Sequence, residues 1–234
     1  MIISAHQPLF IPWIGYFDKI NKVDLFVILD DVQFTSHGWI RRNSIKGKLG
    51  SQNIYVPIVK IKEVWDKKIN EIFIDNQMES KWKRMHLKSY QLNYGKATYF
   101  QEIYSGLEKI YNIPVELISD LNVSLIKFVC DYLKIKTKLL LSSELGAFGR
   151  KTDLIIDLSL KTQATSFMLG MGGSRDYADR RKIESAGIKI GEQSFKHPSY
   201  NQLFGEFIPN LSVLDLLFNE GPNASAIITK SMSS

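Results

Sequence analysis

Four groups of residues in this chain have side chains or backbone suited to acid–base or anion chemistry. They are His6 with Gln7; Asp30 and Asp31 with Gln33; the run Gly170-Met171-Gly172-Gly173-Ser174; and Phe195-Lys196-His197, continuing to Tyr200 and Gln202. An imidazole oriented by a carboxylate is equipped to take a proton from a reacting group. A glycine-rich turn between a strand and a helix offers backbone N–H groups to an anion. Each group also has a plainer explanation. His6 can be a core histidine satisfied by backbone, Asp30 and Asp31 can end a strand by bonding local N–H groups, and the glycines can form a tight turn. His197 precedes Pro198 in a loop, where a structural role is the weaker explanation. His6, Asp30, Asp31 and His197 have metal-binding chemistry, but no spacing such as His-x3-His occurs, so no metal site is expected. A G-x-S-x-G elbow and a G-x4-G-K-[ST] phosphate loop are also missing from the sequence.

What makes these groups more than the sum of four weak signals is where the surrounding elements place them. Residues 1–5 form an apolar run that fits a buried strand, and Trp13, Tyr16, Phe17 and Ile20 follow Pro12 at helical spacing. Residues 24–29 (DLFVIL) are a second strand, so the chain opens β–α–β, a parallel pair. From Gln33 to about Lys68 the pattern is loop and strand: residues 33–50 (QFTSHGWIRRNSIKGKLG) read as loop, and the alternation in NIYVPIVKIK predicts a strand over 54–61 with Pro57 at an edge or bulge. A helical middle follows, with Trp82, Met85 and Leu92 in phase, then Phe100, Ile103, Leu107 and Ile110, then Leu121, Leu125, Val129 and Tyr132. The carboxyl-terminal part alternates again: a strand at 138–141, a helix at 152–161 with Thr152 as its N-cap, and a strand at 165–169. A helix at 176–186 closed by Gly187, a strand from 188 and a short helix at 211–218 complete it.

This pattern predicts an α/β fold, a Rossmann-like and mostly parallel sheet flanked by helices, with a helical segment at roughly 79–134 inside a single domain spanning 1–234. In open parallel sheets, ligands bind outside the carboxyl ends of the strands where the strand order reverses. All four polar groups fall just after a predicted strand and would meet at that edge.

Bulk properties agree with a globular chain: 234 residues, 44% hydrophobic and 23% charged. The single cysteine, Cys130, excludes an intramolecular disulfide, and its apolar-periodic surroundings predict a buried, inert thiol. No stretch reaches the length of a membrane span and no leader precedes His6, so a cytoplasmic location without membrane insertion is expected. The net charge of +6 admits anionic partners, although the lysines are scattered among acids as on a solvated face.

The motifs His6-Gln7-Pro8, Pro12 through Ile20 (PWIGYFDKI), Asp30-Asp31-Val32-Gln33-Phe34 and Trp39 through Lys46 (WIRRNSIK) resemble the WbqC-like protein family. So do Gly170 through Tyr177 (GMGGSRDY), His197-Pro198-x-Tyr200-x-Gln202 and Asn210 through Gly221 (NLSVLDLLFNEG). The resemblance covers essentially the whole chain in order. One departure is Arg41, where the family carries an asparagine before its Arg-Asn pair; a role for that amide is not implied here. The resemblance implies a bacterial protein of O-antigen or other surface-polysaccharide (lipopolysaccharide) synthesis that transfers glycine or a related aminoacyl group to an amino sugar. A second resemblance, to HIGH-type nucleotidyltransferases, rests on a strand ending in a histidine and the Pro-Trp-x-Gly helix start. Gly15 is kept, but the paired histidines are not; this implies a fold relationship and not the chemistry.

On the leading reading, His6 or His197 takes the proton of an attacking amine, oriented by Asp30 or Asp31. The N–H groups of Gly172 and Gly173 hold the oxyanion, and Arg41, Arg42 or Arg175 grips a diphosphate. Gln7, Trp13, Gln33, Asn43, Gly170, Asp176, Tyr177, Tyr200 and Gln202 complete the substrate-binding candidates. The substrate is a nucleotide-linked amino sugar, and the donor an acyl or aminoacyl carrier, for which an aminoacyl-tRNA would give the basic surface a purpose. No resident cofactor is expected. The alternatives are a nucleotidyltransferase-like enzyme using ATP and Mg²⁺, and a non-catalytic binding protein of the same pathway.

Overall fold

A computed structural model describes residues 1–35, 38–60, 64–76 and 79–230. The chain runs β1 (Ile2–His6), α1 (Ile14–Asn21), β2 (Leu25–Ile28), β3 (Arg42–Gly47), β4 (Gly50–Tyr55), α2 (Glu79–Tyr94), α3 (Phe100–Asn112) and α4 (Ile118–Tyr132). It continues with β5 (Lys138–Leu141), α5 (Ser142–Leu145), α6 (Thr152–Lys161), β6 (Ser166–Leu169), α7 (Ser174–Tyr177), α8 (Arg180–Ser185), β7 (Lys189–Glu192), α9 (Val213–Glu220) and α10 (Ala224–Lys230).

The main sheet has the order β5-β2-β1-β6-β7 with every neighbouring pair parallel, so this is the α/β architecture read from the sequence. From β1 the chain steps outward to β2 and β5, then crosses back to β6 on the other side of β1 and steps out to β7. The order therefore reverses between β1 and β6. The alternation of side chains along each strand separates two cores. Phe26, Ile28 and Met168 face α1, α9 and the helical middle, where Phe17, Ile20, Leu125, Val129 and Leu217 are buried. Ile3, Leu25, Val27, Phe167 and Leu169 face α6 and α8, through Ile155, Leu158 and Ile183. Strands with apolar residues on both faces need helices on both faces, and the two runs of crossovers supply them.

Several local expectations are corrected. The stretch WIRRNSIK is not loop: Arg42–Gly47 pairs antiparallel with Gly50–Tyr55 as a hairpin. That second strand ends at Tyr55 and does not run over 54–61, because Pro57 has no N–H to donate; Ile58 makes only an isolated bridge to Ile74. Residue 61 of the expected strand lies outside the described residues, as does the polar tail 231–234. In α2 the buried face is Trp82, His86, Tyr90 and Tyr94, whereas Met85 and Leu92 are exposed. The polar tips of these rings hid their periodicity. They satisfy one another: Tyr111 Oη lies 3.2 Å from His86 Nδ1, Tyr90 Oη 3.1 Å from Tyr111 Oη, and His86 Nε2 donates to the Tyr55 carbonyl at 3.0 Å.

Thr152 is not an N-cap. Lys151 holds that position at φ 53°, and Thr152 Oγ1 instead donates to the Tyr177 carbonyl and accepts from Asp179 N–H. The helix expected over 176–186 is two pieces, broken at Ala178 and Asp179, with Asp179 capping the second piece through Lys182 N–H. Gly187, at φ 79°, ends it as expected. Cys130 is buried with its thiol pushed up to about 12, too high to be a thiolate near neutrality. Among the described residues, no helix is long and apolar enough to cross a membrane.

Candidate active site at the strand-order reversal

A cleft of about 1660 Å³ opens where β1 and β6 part at their carboxyl ends. Its floor is Ala5, His6, Gln7, Gly15, Tyr16, Lys19 and Gly170; its walls include Trp13, Asp31, Gln33, Trp39, Gln193 and the loops at 147–151 and 170–174.

His6 ends β1 on the α1 side, edge-on to Tyr16 at 5.1 Å between ring centres. Its Nδ1 lies 3.1 Å from the Gln7 carbonyl, which can only accept, so Nδ1 carries the proton and Nε2 the lone pair. Burial, and secondarily the Lys19 ammonium, lower its pKa to about 3 and keep the ring neutral. The Gln7 carbonyl also takes the Tyr16 hydroxyl at 3.1 Å.

Trp13 lies immediately ahead of α1, and its ring covers Gly15 so closely that a Cβ there would sit 2.3 Å from the indole. The open face of Gly15 is therefore already filled by a side chain of this protein. Phe195 meets the indole edge-on at 5.4 Å and His197 lies nearly parallel to it at 6.3 Å.

Of the other predicted residues, Gln7, Asp31, Gln33, Asn43, Gly170, Gly172, Gly173 and Tyr177 line the cleft with His6 and Trp13. Asn43 is buried and gives its amide to the carbonyls of Phe10 and Ile11, at 2.9 and 2.6 Å. It holds the turn in which Ile11 has a φ of 36°. The N–H groups of Gly172 and Gly173 meet no protein acceptor among the described residues, and a Cβ on either would touch nothing. The helix after them, α7, has only four residues, so the open N–H groups and not a helix dipole are what the loop offers an anion.

The remaining candidates are drawn into structural work away from the cleft. Asp30 is buried and receives Ser143 N–H at 3.0 Å together with the hydroxyls of Ser142 and Ser143, which ties β2 to the start of α5. Asp31, its neighbour, takes a short hydrogen bond from the same Ser142 hydroxyl while facing the cleft. His197 has both ring nitrogens engaged: Nδ1 donates to the Pro198 carbonyl at 2.9 Å and Nε2 accepts Asn210 N–H at 3.1 Å. Arg175 clamps the glycine loop from behind, donating Nε to the Gly170 carbonyl at 2.9 Å and bonding the Gln193 carbonyl and Glu192. The Arg42 guanidinium lies over the Trp39 ring at 5.2 Å, Arg41 is part of the strand-entry backbone, and Asp176 is exposed in α7. Tyr200 and Gln202 both donate to Asp215 Oδ2, at 2.8 and 2.7 Å, in a buried cluster with Tyr94 and Lys46.

Sequence reasoning missed Lys19, Gln193 and the loop Ala147, Phe148, Gly149, Arg150 and Lys151. The loop was findable, because it follows β5 as the chosen clusters follow the other strands. Lys19 was findable too, as a lysine three residues past Tyr16 on the apolar face of the first helix. Gln193 packs under α1, donating to the Gly15 carbonyl and to Asp18, contacts that join residues 178 and 175 positions apart. Among the described residues, no three His, Cys, Asp or Glu side chains are grouped so as to hold a metal ion.

Comparison with known proteins agrees with this picture at the level of the family. The uncharacterized protein Rv1507c of Mycobacterium tuberculosis (strain ATCC 25618 / H37Rv) is 37% identical over 224 residues, 95% of each chain. No solved structure matches this chain. The model of the WbqC-like protein family matches residues 7–227, from the loop at the end of β1 into α10, and the chain belongs to that family.

Proposed function

We propose that this protein is a transferase that binds a nucleotide-linked amino sugar in the cleft and moves an acyl or aminoacyl group, such as glycyl, onto the sugar's amine. Such an activity belongs to the synthesis of O-antigen or another surface polysaccharide in the cytoplasm. The observation that carries the reading is His6, a neutral imidazole with its lone pair on Nε2 at the floor of a cleft formed where the strand order reverses. The amine attacks the acyl carbon as its free base. As the C–N bond forms, the nitrogen becomes cationic and its N–H strongly acidic, so even a weakly basic imidazole can take that proton. As that bond forms, the carbonyl oxygen takes on the negative charge of an oxyanion. The carrier then leaves with the bonding pair, regenerating the carbonyl, and the proton on His6 passes to it. Asp31, on the cleft wall, is placed to hold a sugar hydroxyl or amine.

Mass spectrometry of surface polysaccharide from wild-type and deletion strains tests this directly. The deletion strain is expected to lack one acyl or aminoacyl group. Wild-type protein should restore it, His6→Ala should not, and His197→Phe, which keeps a ring against Trp13, should restore it at least in part. An unchanged polysaccharide in the deletion strain would sink the reading. If the donor is an aminoacyl-tRNA, its binding should weaken steeply with added salt, as phosphate contacts do.

A second reading, nucleotidyl transfer from ATP or another triphosphate with Mg²⁺, draws on the strand order and on the histidine that ends β1. Against it, Trp13 occupies the face of Gly15 that a base would need. Calorimetry with no triphosphate binding would remove it.

A further inference from the structure

The cleft floor contains a cation that the chemistry above does not use. Lys19 projects from α1 beneath the cleft with 3% of its surface exposed, yet it lines that cleft. Its Nζ donates to the Ala5 carbonyl at 2.8 Å and lies 5.8 Å from the centre of the Phe26 ring. Among the described residues no carboxylate pairs with it. An ammonium taken out of water without a counter-charge is costly, and one neutral carbonyl does not repay that cost. Asp18 on the same helix is no remedy, since its carboxylate is taken by Lys22 and Gln193.

The glycine loop is shaped around this amine. A Cβ on Gly170 would stand 2.9 Å from Lys19 Nζ, so only glycine leaves the amine its place at the start of the loop. Two and three residues on come the unpartnered N–H groups of Gly172 and Gly173. One buried amine with spare donors, next to a loop with spare donors, suits an anion with several acceptor oxygens. A phosphoryl group has that form.

We propose that Lys19 is the phosphoryl anchor of the cleft, seating a phosphate of the ligand between the end of β1 and the 170–173 loop. The proposal deepens the transferase reading by placing the nucleotide-linked end of the substrate, but it stands or falls on anion binding and not on acyl transfer. Desolvation brings the amine down to about 7, so the empty site carries only part of a charge and gains the rest as the anion arrives.

Titration calorimetry on the intact protein with inorganic phosphate, pyrophosphate, UDP and acetate tests it. Pyrophosphate and UDP are expected to bind and acetate not. Lys19→Met should weaken both by roughly tenfold or more, the loss of a charge-assisted contact. Gly170→Ala should do the same by displacing the amine, while Lys109→Met on the exposed side of α3 should leave binding unchanged. Phosphate or pyrophosphate binding without a further gain for UDP would assign the site to free phosphate; tighter UDP binding would assign it to the nucleotide. No binding of any phosphate, equal binding of acetate, or wild-type affinity in folded Lys19→Met and Gly170→Ala would each overturn the proposal. Should Lys19→Met fail to fold, the Nζ resonance of ¹⁵N-lysine-labelled wild-type protein decides: it must shift on saturation with pyrophosphate, and an unmoved signal refutes the anchor. A failure here with the polysaccharide result intact would leave the transfer reading standing without this subsite.

Discussion

At the scale of single residues, the site turns on which polar atoms are left free. His6 and His197 look alike in sequence, each in a loop or strand end with carboxylates and aromatics near in the motif. The fold gives His197 two backbone partners and His6 only one. Substituting them should therefore have different consequences. His197→Ala is expected to cost stability, about 1–3 kcal/mol from the unpaired Asn210 N–H and lost ring packing, measurable by urea unfolding. His6→Ala should leave the unfolding midpoint closer to wild type while removing turnover. Gly15→Ala gives a third test at this scale. Its Cβ would drive the Trp13 indole out of the cleft wall, at a cost of about 1–3 kcal/mol, visible as a change in tryptophan fluorescence and a lower melting temperature.

At the scale of elements, buried amides and carboxylates hold the strand ends in register with the loops that shape the cleft. Asn122 reaches from α4 to the carbonyls of Pro8 and Ile40, at 2.9 and 2.7 Å, as Asn43 does from β3 to Phe10 and Ile11. Asp30 performs the same service between β2 and α5. Replacing Asp30 by alanine should leave the Ser143 N–H and hydroxyl without their acceptor and the buried Ser142 hydroxyl to Asp31 alone, and cost about 1–3 kcal/mol. A drop in unfolding midpoint with little loss of helix in circular dichroism would match. An Asp30→Ala protein of wild-type stability but without turnover would instead return Asp30 to the chemistry.

At the scale of the molecule, the buried histidines make stability depend on pH. Folding lowers the pKa of His6 to about 3 and of His86 to about 4, each chiefly by desolvation, from 6.5 in the unfolded chain. Between those values and 6.5 the unfolded chain binds more protons than the folded one, so stability rises with pH across that window and is lost as pH falls through it. Asp215, raised by burial, works in the opposite sense from 3.8 upward, but one carboxyl opposes two histidines. Melting temperature should fall progressively below about pH 6, and Lys19, brought down to about 7 from 10.5 by desolvation, adds a decline in the same sense as pH falls from the alkaline side to neutrality. His86→Gln should flatten part of the decline, and a profile independent of pH between 4 and 7 would contradict the assignment.

The sequence by itself determined the class of fold, because strand and helix periods are local properties. Apolar runs after Met1, at 24–29, 138–141 and 165–169, separated by helical spacing, admit little but a parallel sheet, and each became a strand of it. The helical middle was legible for the same reason in α3 and α4, and misread in α2, where buried tyrosines and a histidine disguise the core face. Strand ends also placed polar loops at one edge of the sheet. Only the tertiary structure decided which of those polar groups face the cleft and which are consumed in bonding. That choice depends on partners more than a hundred residues away: Ser142 for Asp30, and Met168 for Ser4. Lys19 shows the same limit from the other side. One turn of helix beyond Tyr16 it reads as an interruption of an apolar face, and it becomes a cleft-floor cation only because Gly170, brought beside it by the pairing of β1 with β6, leaves room for its amine.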